Sequence, residues 1–474
     1  MIRSVQHRTS PVLHRSLGSV EPPVVDTVEA APQPPPDLGA ARKLFSVDLE
    51  TDRHIVHAFP IEDVRQSKDK ETYYYPPEPL FTPQGMLVVG THRGEILAFD
   101  PGRGKQLWSF DTGKESAYNQ PVASLDGRLY LSNHRDAELL CLDPDGLLAF
   151  RAVLPESAER DPQVDDQGRA YVVTERHLVA LDAAGTERWK LEVPGADSAV
   201  AVAPDGRPML VSREGTVRVF KDDGSVAWTH RCAAPLTQMP CLAEESVFVA
   251  TEAGLEVLDW SGRPRPGPQL PELPAIIKAP PVGDVQTDPE GNVIVATPHG
   301  WIVKLDSQGR ELGRRDIRTG ITSRPRVQPD GTVLVPGADA RIYVLSRALE
   351  WENLVMVQSD YGGRTPSLRA PLVGPTGHMY VDQGSTRLEV FDPHGNPVWE
   401  FKGEQGFHRV SAGFSPSGML AAADYGHVYL LKERTSQEVL AEQPPEEPAA
   451  PKIRRRGEWL FVGGVAVPIK RQRL

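Results

Sequence analysis

The chain has 474 residues, 39% hydrophobic and 24% charged, enough to bury a large core of its own. A formal net charge of −12 excludes a general nucleic-acid binder. Three cysteines, Cys141, Cys232 and Cys241, supply neither a disulfide framework nor a paired metal site, and they read as small buried hydrophobes.

Residues 1–41 hold Pro11, Pro22, Pro23, Pro32, Pro34, Pro35 and Pro36 among Ser and Glu, the composition of a disordered arm. No apolar run of signal length follows Arg3 and Arg8, and no lipobox-like cysteine stands there, so the expected compartment is the cytoplasm. Arg42–Asp48 (RKLFSVD) looks like the later Gln106–Asp111 (QLWSFD) but has no inner strands before it. Residues 49–75 form a long connection ending at Tyr73, Tyr74 and Tyr75, either a binding surface or the outer packing of a first strand.

Residues 77–113 show the unit on which the chain is built. Three β-rich runs, Met86–Gly90, Glu95–Asp100 and Gln106–Phe110, are separated by turns at Gly85, Gly94 and Gly104. Alternating apolar residues between such turns predict antiparallel strands joined as hairpins. An Asp, a Gly and an aromatic four residues after the Gly then recur. They stand at Asp100, Gly104, Trp108; Asp143, Gly146, Phe150; Asp182, Gly185, Trp189; Asp223, Gly224, Trp228; and Asp392, Gly395, Trp399. Copies at Asp259, Gly262 and Asp306, Gly309 lose the aromatic, and one near Val344–Trp351 loses the glycine.

A period of roughly 40 residues with several strands per unit predicts a β-propeller. A second turn glycine, at Gly85, Gly127, Gly168, Gly206, Gly291, Gly331, Gly377 and Gly418, marks the same units, and one unit around Ala243–Glu245 lacks it. The fold predicted is all-β, with eight or nine four-stranded blades over 42–434. The last inner strands, Val410–Lys432, have no outer strand after them, so the N-terminal segment Arg42–Asp48 is expected to close the ring and remove its sheet edges.

The segment Gly94-Glu95-Ile96-Leu97-Ala98-Phe99-Asp100, with Gly104 and Trp108, resembles the repeat of quinoprotein-like (PQQ-like) propellers. The resemblance covers about 77–432. It implies a tryptophan that docks on the neighbouring blade, and it suits enzymes, assembly factors and scaffolds alike. It also suggests an association with bacterial systems that pair a propeller with a MoxR-type AAA+ ATPase and a von Willebrand A-domain protein. A quinone-dependent dehydrogenase is not expected, since there is no export signal and no Cys-Cys pair.

Catalytic, cofactor and metal residues are expected to be none. His54 and His57 have no third ligand nearby, and Asp161, Asp165 and Asp166 lack calcium-loop spacing and read as a turn. After a Pro/Glu linker, 435–451, comes the tail 452–474. Lys452, Arg454, Arg455, Arg456, Lys470, Arg471 and Arg473 oppose Glu458, so the tail carries +6 and the rest of the chain −18. Trp459 to Val467 reads as a hairpin turning at Gly463-Gly464. Arg454, Arg455, Arg456, Trp459, Phe461, Lys470, Arg471 and Arg473 are the candidate partner-binding residues, serving this chain's own propeller, another protein or, as a third reading, a membrane surface or nucleic acid. The expected function is a non-catalytic interaction scaffold in a multi-protein assembly. The alternative is an enzyme or ligand-binding propeller with its site at the central channel.

Overall fold

A computed structural model describes residues 55–61 and 78–433, apart from 92, 114–120, 133–136, 194–197, 272–279, 281, 358–367, 369, 384–386, 403–408, 412 and 425, plus three strands within 454–468. All regular elements among them are strands. Nine four-stranded antiparallel sheets form a nine-bladed propeller. Blade 1 runs outward from Leu80–Phe81 through Leu87–Gly90 and Glu95–Asp100 to Lys105–Asp111. Blades 2 to 8 follow in chain order, one sheet each.

Blade 9 contains Arg409–Val410, Leu420–Ala423 and His427–Leu431, and its outer strand is Ile55–Pro60. An N-terminal strand thus closes the ring, but it is not the one expected. The outer position is filled by Ile55–Pro60, while Arg42–Asp48, the arm 1–41 and the three tyrosines lie outside the described residues. The reason is local: His57-Ala58-Phe59 matches Trp108-Ser109-Phe110 of blade 1 position for position. Phe59 is buried and stacks on Phe99 of blade 1 at 4.4 Å between ring centroids.

The interior is divided among the joints. Nine apolar clusters fill the nine gaps between adjacent blades, because successive strand residues point to opposite faces of a sheet. In blade 1, Leu87 and Val89 face blade 9 while Val88 faces blade 2.

The recurring Asp and Gly make the turn between the third and outer strands. Asp143 accepts a backbone bond from Gly146 at 2.9 Å, and Gly146 adopts φ +82°. A residue in this left-handed conformation after a tight turn produces a bulge. Eight of the nine outer strands show that register shift just before the docking position; blade 5 pairs without it.

The aromatic then lies on the next blade's glycine. A Cβ on Gly146 would meet the Trp108 ring at 2.4 Å, and Trp108 Nε1 donates to Pro144 O at 3.0 Å. The pattern repeats with Phe150 on Gly185, Trp189 on Gly224 and Trp228 on Gly262. Of the four tryptophans at the repeat's docking position, Trp399 is fully buried. Trp108, Trp189 and Trp228 are half-buried, because the ring lies at the outer rim with its N–H turned to a carbonyl of the next blade.

Trp399→Ala is expected to cost about 3–5 kcal/mol in denaturant unfolding, as for other buried large-to-small changes, and Trp108→Ala less. Gly146→Ala combines a left-handed backbone with a ring clash, so a loss of at least about 1–3 kcal/mol is expected. Deleting residues 1–61 exposes the edge of His427–Leu431 and should lower the melting temperature sharply, whereas deleting 1–50 should not.

Candidate docking site

The latch between blades is the structural rule, and its exceptions locate the candidate site. In the closing joint His57 replaces the aromatic, its ring 2.5 Å from where a Gly104 Cβ would stand. At the joint between blades 6 and 7 both halves change together. Leu349, buried and at φ 60°, stands where other blades have glycine, and Gly313 stands where others have the ring. A large residue on the receiving side is matched by none on the donating side. Arg315 holds this joint instead, donating to Leu349 O at 2.7 Å with its guanidinium 5.8 Å from the Trp351 ring centre.

The joint between blades 7 and 8 changes on one side only. Gly395 keeps its φ of +84°, but the docking position of blade 7 carries Asn353. A Cβ on Gly395 would meet only Val355 at 3.0 Å and Asn353 at 3.4 Å, with no ring over it. The indole is missing and a cleft of about 880 Å³ lies there, lined by Leu334, Val344, Val355, Met379 and Phe414 on its apolar side. The ionisable groups of its wall are Asp330, Glu352, Asp392 and His394. Burial opposes the charge of Asp392, but hydrogen bonds from Asn396 and from the backbone of Asn396 and His394 outweigh it and hold the carboxyl below its usual range. The cleft is therefore apolar inside and acidic at its wall.

The cleft adjoins a cavity of about 610 Å³ at the inner ends of blades 6 to 9, sharing Gln328, Pro329, Val373 and Phe414 with it. The ionisable side chains lining that inner cavity are Asp288 and Arg326. Asp288 is paired with Lys304 at 2.8 Å. A third cavity, of about 500 Å³, is lined by Arg160, Arg213, Glu252, Thr237 and Gln238. Thr237 Oγ1 and Gln238 Nε2 are buried there without a hydrogen-bond partner among the described residues.

The other sequence candidates fall into place. Asp165 staples a turn, accepting from the backbone of Gln167 and Arg169 at 3.0 and 2.9 Å, and Arg169 ties it to Asp222 of blade 4. All three cysteines are free thiols; Cys141 and Cys232 are buried and Cys241 is half-buried. Burial pushes the Cys141 thiol up to about 12.

In the tail, Arg454–Arg456, Trp459–Val462 and Val465–Pro468 form a three-stranded antiparallel sheet, one strand more than the hairpin expected. Arg454 pairs with Phe461 and Arg456 with Trp459. Lys470, Arg471 and Arg473 lie outside the described residues. The chain enters the linker beside the cleft: Glu433 accepts from Trp399 Nε1 at 2.7 Å and lies 3.9 Å from His378, whose neighbours Gly377 and Met379 line the cleft.

The family profile described as outer membrane protein assembly factor BamB matches residues 92–203 and 175–297. No curated protein matches the sequence. Among solved structures the chain is similar to BamB from Moraxella catarrhalis, at 14% identity, covering 71% of this chain and 98% of that one with a TM-score of 0.44. It is similar to apo AztD from Citrobacter koseri at 15% identity, covering 66% and 92% with a TM-score of 0.45. The dihydro-heme d1 dehydrogenase NirN is similar at 15% identity, covering 74% and 78% with a TM-score of 0.49. The chain is a nine-bladed β-propeller whose residues 92–297 match that family's repeat.

The matched exception at blades 6 and 7 gives a test. Gly313→Trp alone should destabilise by clashing with Leu349. Adding Leu349→Gly should recover much of that loss, so the two changes couple favourably in a double-mutant cycle. Strict additivity would show that the two positions do not face one another.

Proposed function

We propose that this chain is a non-catalytic interaction scaffold whose docking site is the cleft between blades 7 and 8. The observation carrying the reading is the vacant latch: Gly395 keeps the conformation that receives a ring elsewhere, and Asn353 supplies none. The matching ligand is an aromatic side chain flanked by basic residues, because the wall carries Asp330, Glu352 and Asp392.

The tail has that composition in Arg454, Arg455, Arg456, Trp459 and Phe461, with Lys470, Arg471 and Arg473 adding charge. Its tether begins at Glu433, and the 21 peptide steps from there to Arg454 span at most about 70 Å. In this reading the tail covers the cleft of its own chain and yields it to a partner bearing the same chemistry. Charge speeds the encounter, while the aromatic supplies most of the affinity, because exposed charges are screened beyond about 8 Å at physiological salt. Protein partners of the AAA+ ATPase or von Willebrand A-domain class, in a bacterial cytoplasm, are the first to test.

A ligand-binding or enzymatic propeller is the second reading. It is favoured by Thr237 and Gln238 in the polar cavity, and a small molecule whose stabilising effect disappears in Gln238→Leu would support it.

A peptide of residues 452–474 should bind the chain truncated at 451, more weakly at high salt. Asn353→Trp should fill the cleft from within and weaken binding by about thirtyfold, the scale of a lost hot spot (~2 kcal/mol). Equal binding to the Asn353→Trp variant, or no binding to either, would overturn the assignment of the cleft to the tail.

A further inference from the structure

The joint between blades 4 and 5 gathers three metal-ligating side chains of different chemistry. His230 lies on the outer strand of blade 4, Val226–Arg231, two residues after Trp228, and Cys232 follows it by two more. Alternate residues of an extended chain share a side, so the indole that docks on blade 5 brings the imidazole and the thiol with it. Glu256 comes from the third strand of blade 5, Gly254–Asp259. One ligand atom from each of the three lies within 4.8 Å of the others. We propose that His230, Cys232 and Glu256 bind a single zinc ion across this joint, with the fourth coordination position open to solvent.

The donor set fits that ion. One imidazole nitrogen, one thiolate and one carboxylate oxygen form the mixed set zinc accepts, whereas magnesium and calcium require oxygen throughout. Zinc bonds of about 2.0–2.3 Å place tetrahedral ligand atoms about 3.3–3.8 Å apart, so the present spacing needs adjustments of about an ångström or less. The contact of 2.8 Å between His230 Nε2 and Glu256 Oε2 opens to admit the ion, and Cys232 closes on it.

The carboxylate is already oriented. Ala233 N–H donates to Glu256 Oε1 at 2.7 Å, which leaves Oε2 for a metal, the arrangement that outer-sphere partners provide in zinc sites. Among the described ion pairs Glu256 has no lysine or arginine partner, only His230. Burial is graded: Cys232 is 7% exposed, and the His230 and Glu256 side chains 14% and 25%. The thiol is thus shielded while the other two donors border solvent and give an entry path. The ion would clamp blade 4 to blade 5, whose own outer strand is only Pro264–Arg265.

The test uses the full chain, reduced and stripped of metal with a chelator. Zinc, titrated against a chromophoric competitor, should bind at one equivalent and raise the melting temperature. Cobalt(II) in its place should give a thiolate charge-transfer band in the near ultraviolet. That band should vanish in Cys232→Ser and persist in Cys141→Ser and Cys241→Ser. Glu256→Gln, a conservative change, should weaken zinc binding and remove most of the thermal shift even if Cys232→Ser fails to fold. No band at all, a band that survives in Cys232→Ser, or an unchanged zinc shift in Glu256→Gln would overturn the site.

Discussion

A ring seated on a glycine of the neighbouring blade is the contact on which this structure depends. The turn between the third and outer strands of blades 1 to 8 holds a residue at positive φ, and in all but blade 7 glycine meets that need at little cost. The same missing side chain leaves a shallow seat, and the previous blade fills it with Trp108, Phe150, Trp189 or Trp228. One local constraint therefore serves twice, shaping a hairpin and fixing the angle between two sheets. The half-exposed tryptophans fit this role: they brace the rim while the apolar clusters between sheets bury the bulk of the surface.

Because the interior is divided into nine joints, each depends on its neighbours and the ring depends on closure. His57 closes it on Gly104 as Trp108 docks on Gly146 one joint further on, and Phe59 stacks on Phe99. Arg409 of blade 9 adds an ion pair to Glu78 at the start of blade 1, at 3.0 Å. The joints can also diverge individually. Blades 6 and 7 exchange ring and glycine for Gly313 and Leu349 and are tied by Arg315, whereas blades 7 and 8 lose the ring alone and hold the cleft. At blades 7 and 8 the one-sided loss goes with a cleft, whereas at blades 5 and 6, where Gly309 likewise receives no ring, Val257 and Pro266 stand at the seat instead.

The parts legible in the sequence were those set by short-range chemistry. Asp-x-x-Gly turns, alternating strands and the period of the aromatic are local, and they led to the fold and to the range of eight or nine blades. The closing strand was misplaced because RKLFSVD resembles the repeat by composition, while IVHAFP carries the docking register with histidine in the ring's place. The pairing of Gly313 with Leu349 was hidden, since neither residue is unusual until the two blades face each other. Asn353 was hidden by Trp351, two residues earlier, which reads as the unit's aromatic until the bulge sets Asn353 at the docking position. The approach of Glu256 to His230 and Cys232 could not be read at all, because it depends on which faces of two sheets meet.

The central claim is that joint strength follows the latch and that the vacant latch is a place to bind. Native-state hydrogen exchange tests it most directly, since local opening reports the stability of each strand separately. In the chain truncated at residue 451, amides of Trp351–Met356 should exchange faster than those of Lys105–Asp111. Adding the 452–474 peptide should slow the first set and leave the second unchanged. Equal protection of the two strands without peptide, or no change at Trp351–Met356 with it, would contradict the account.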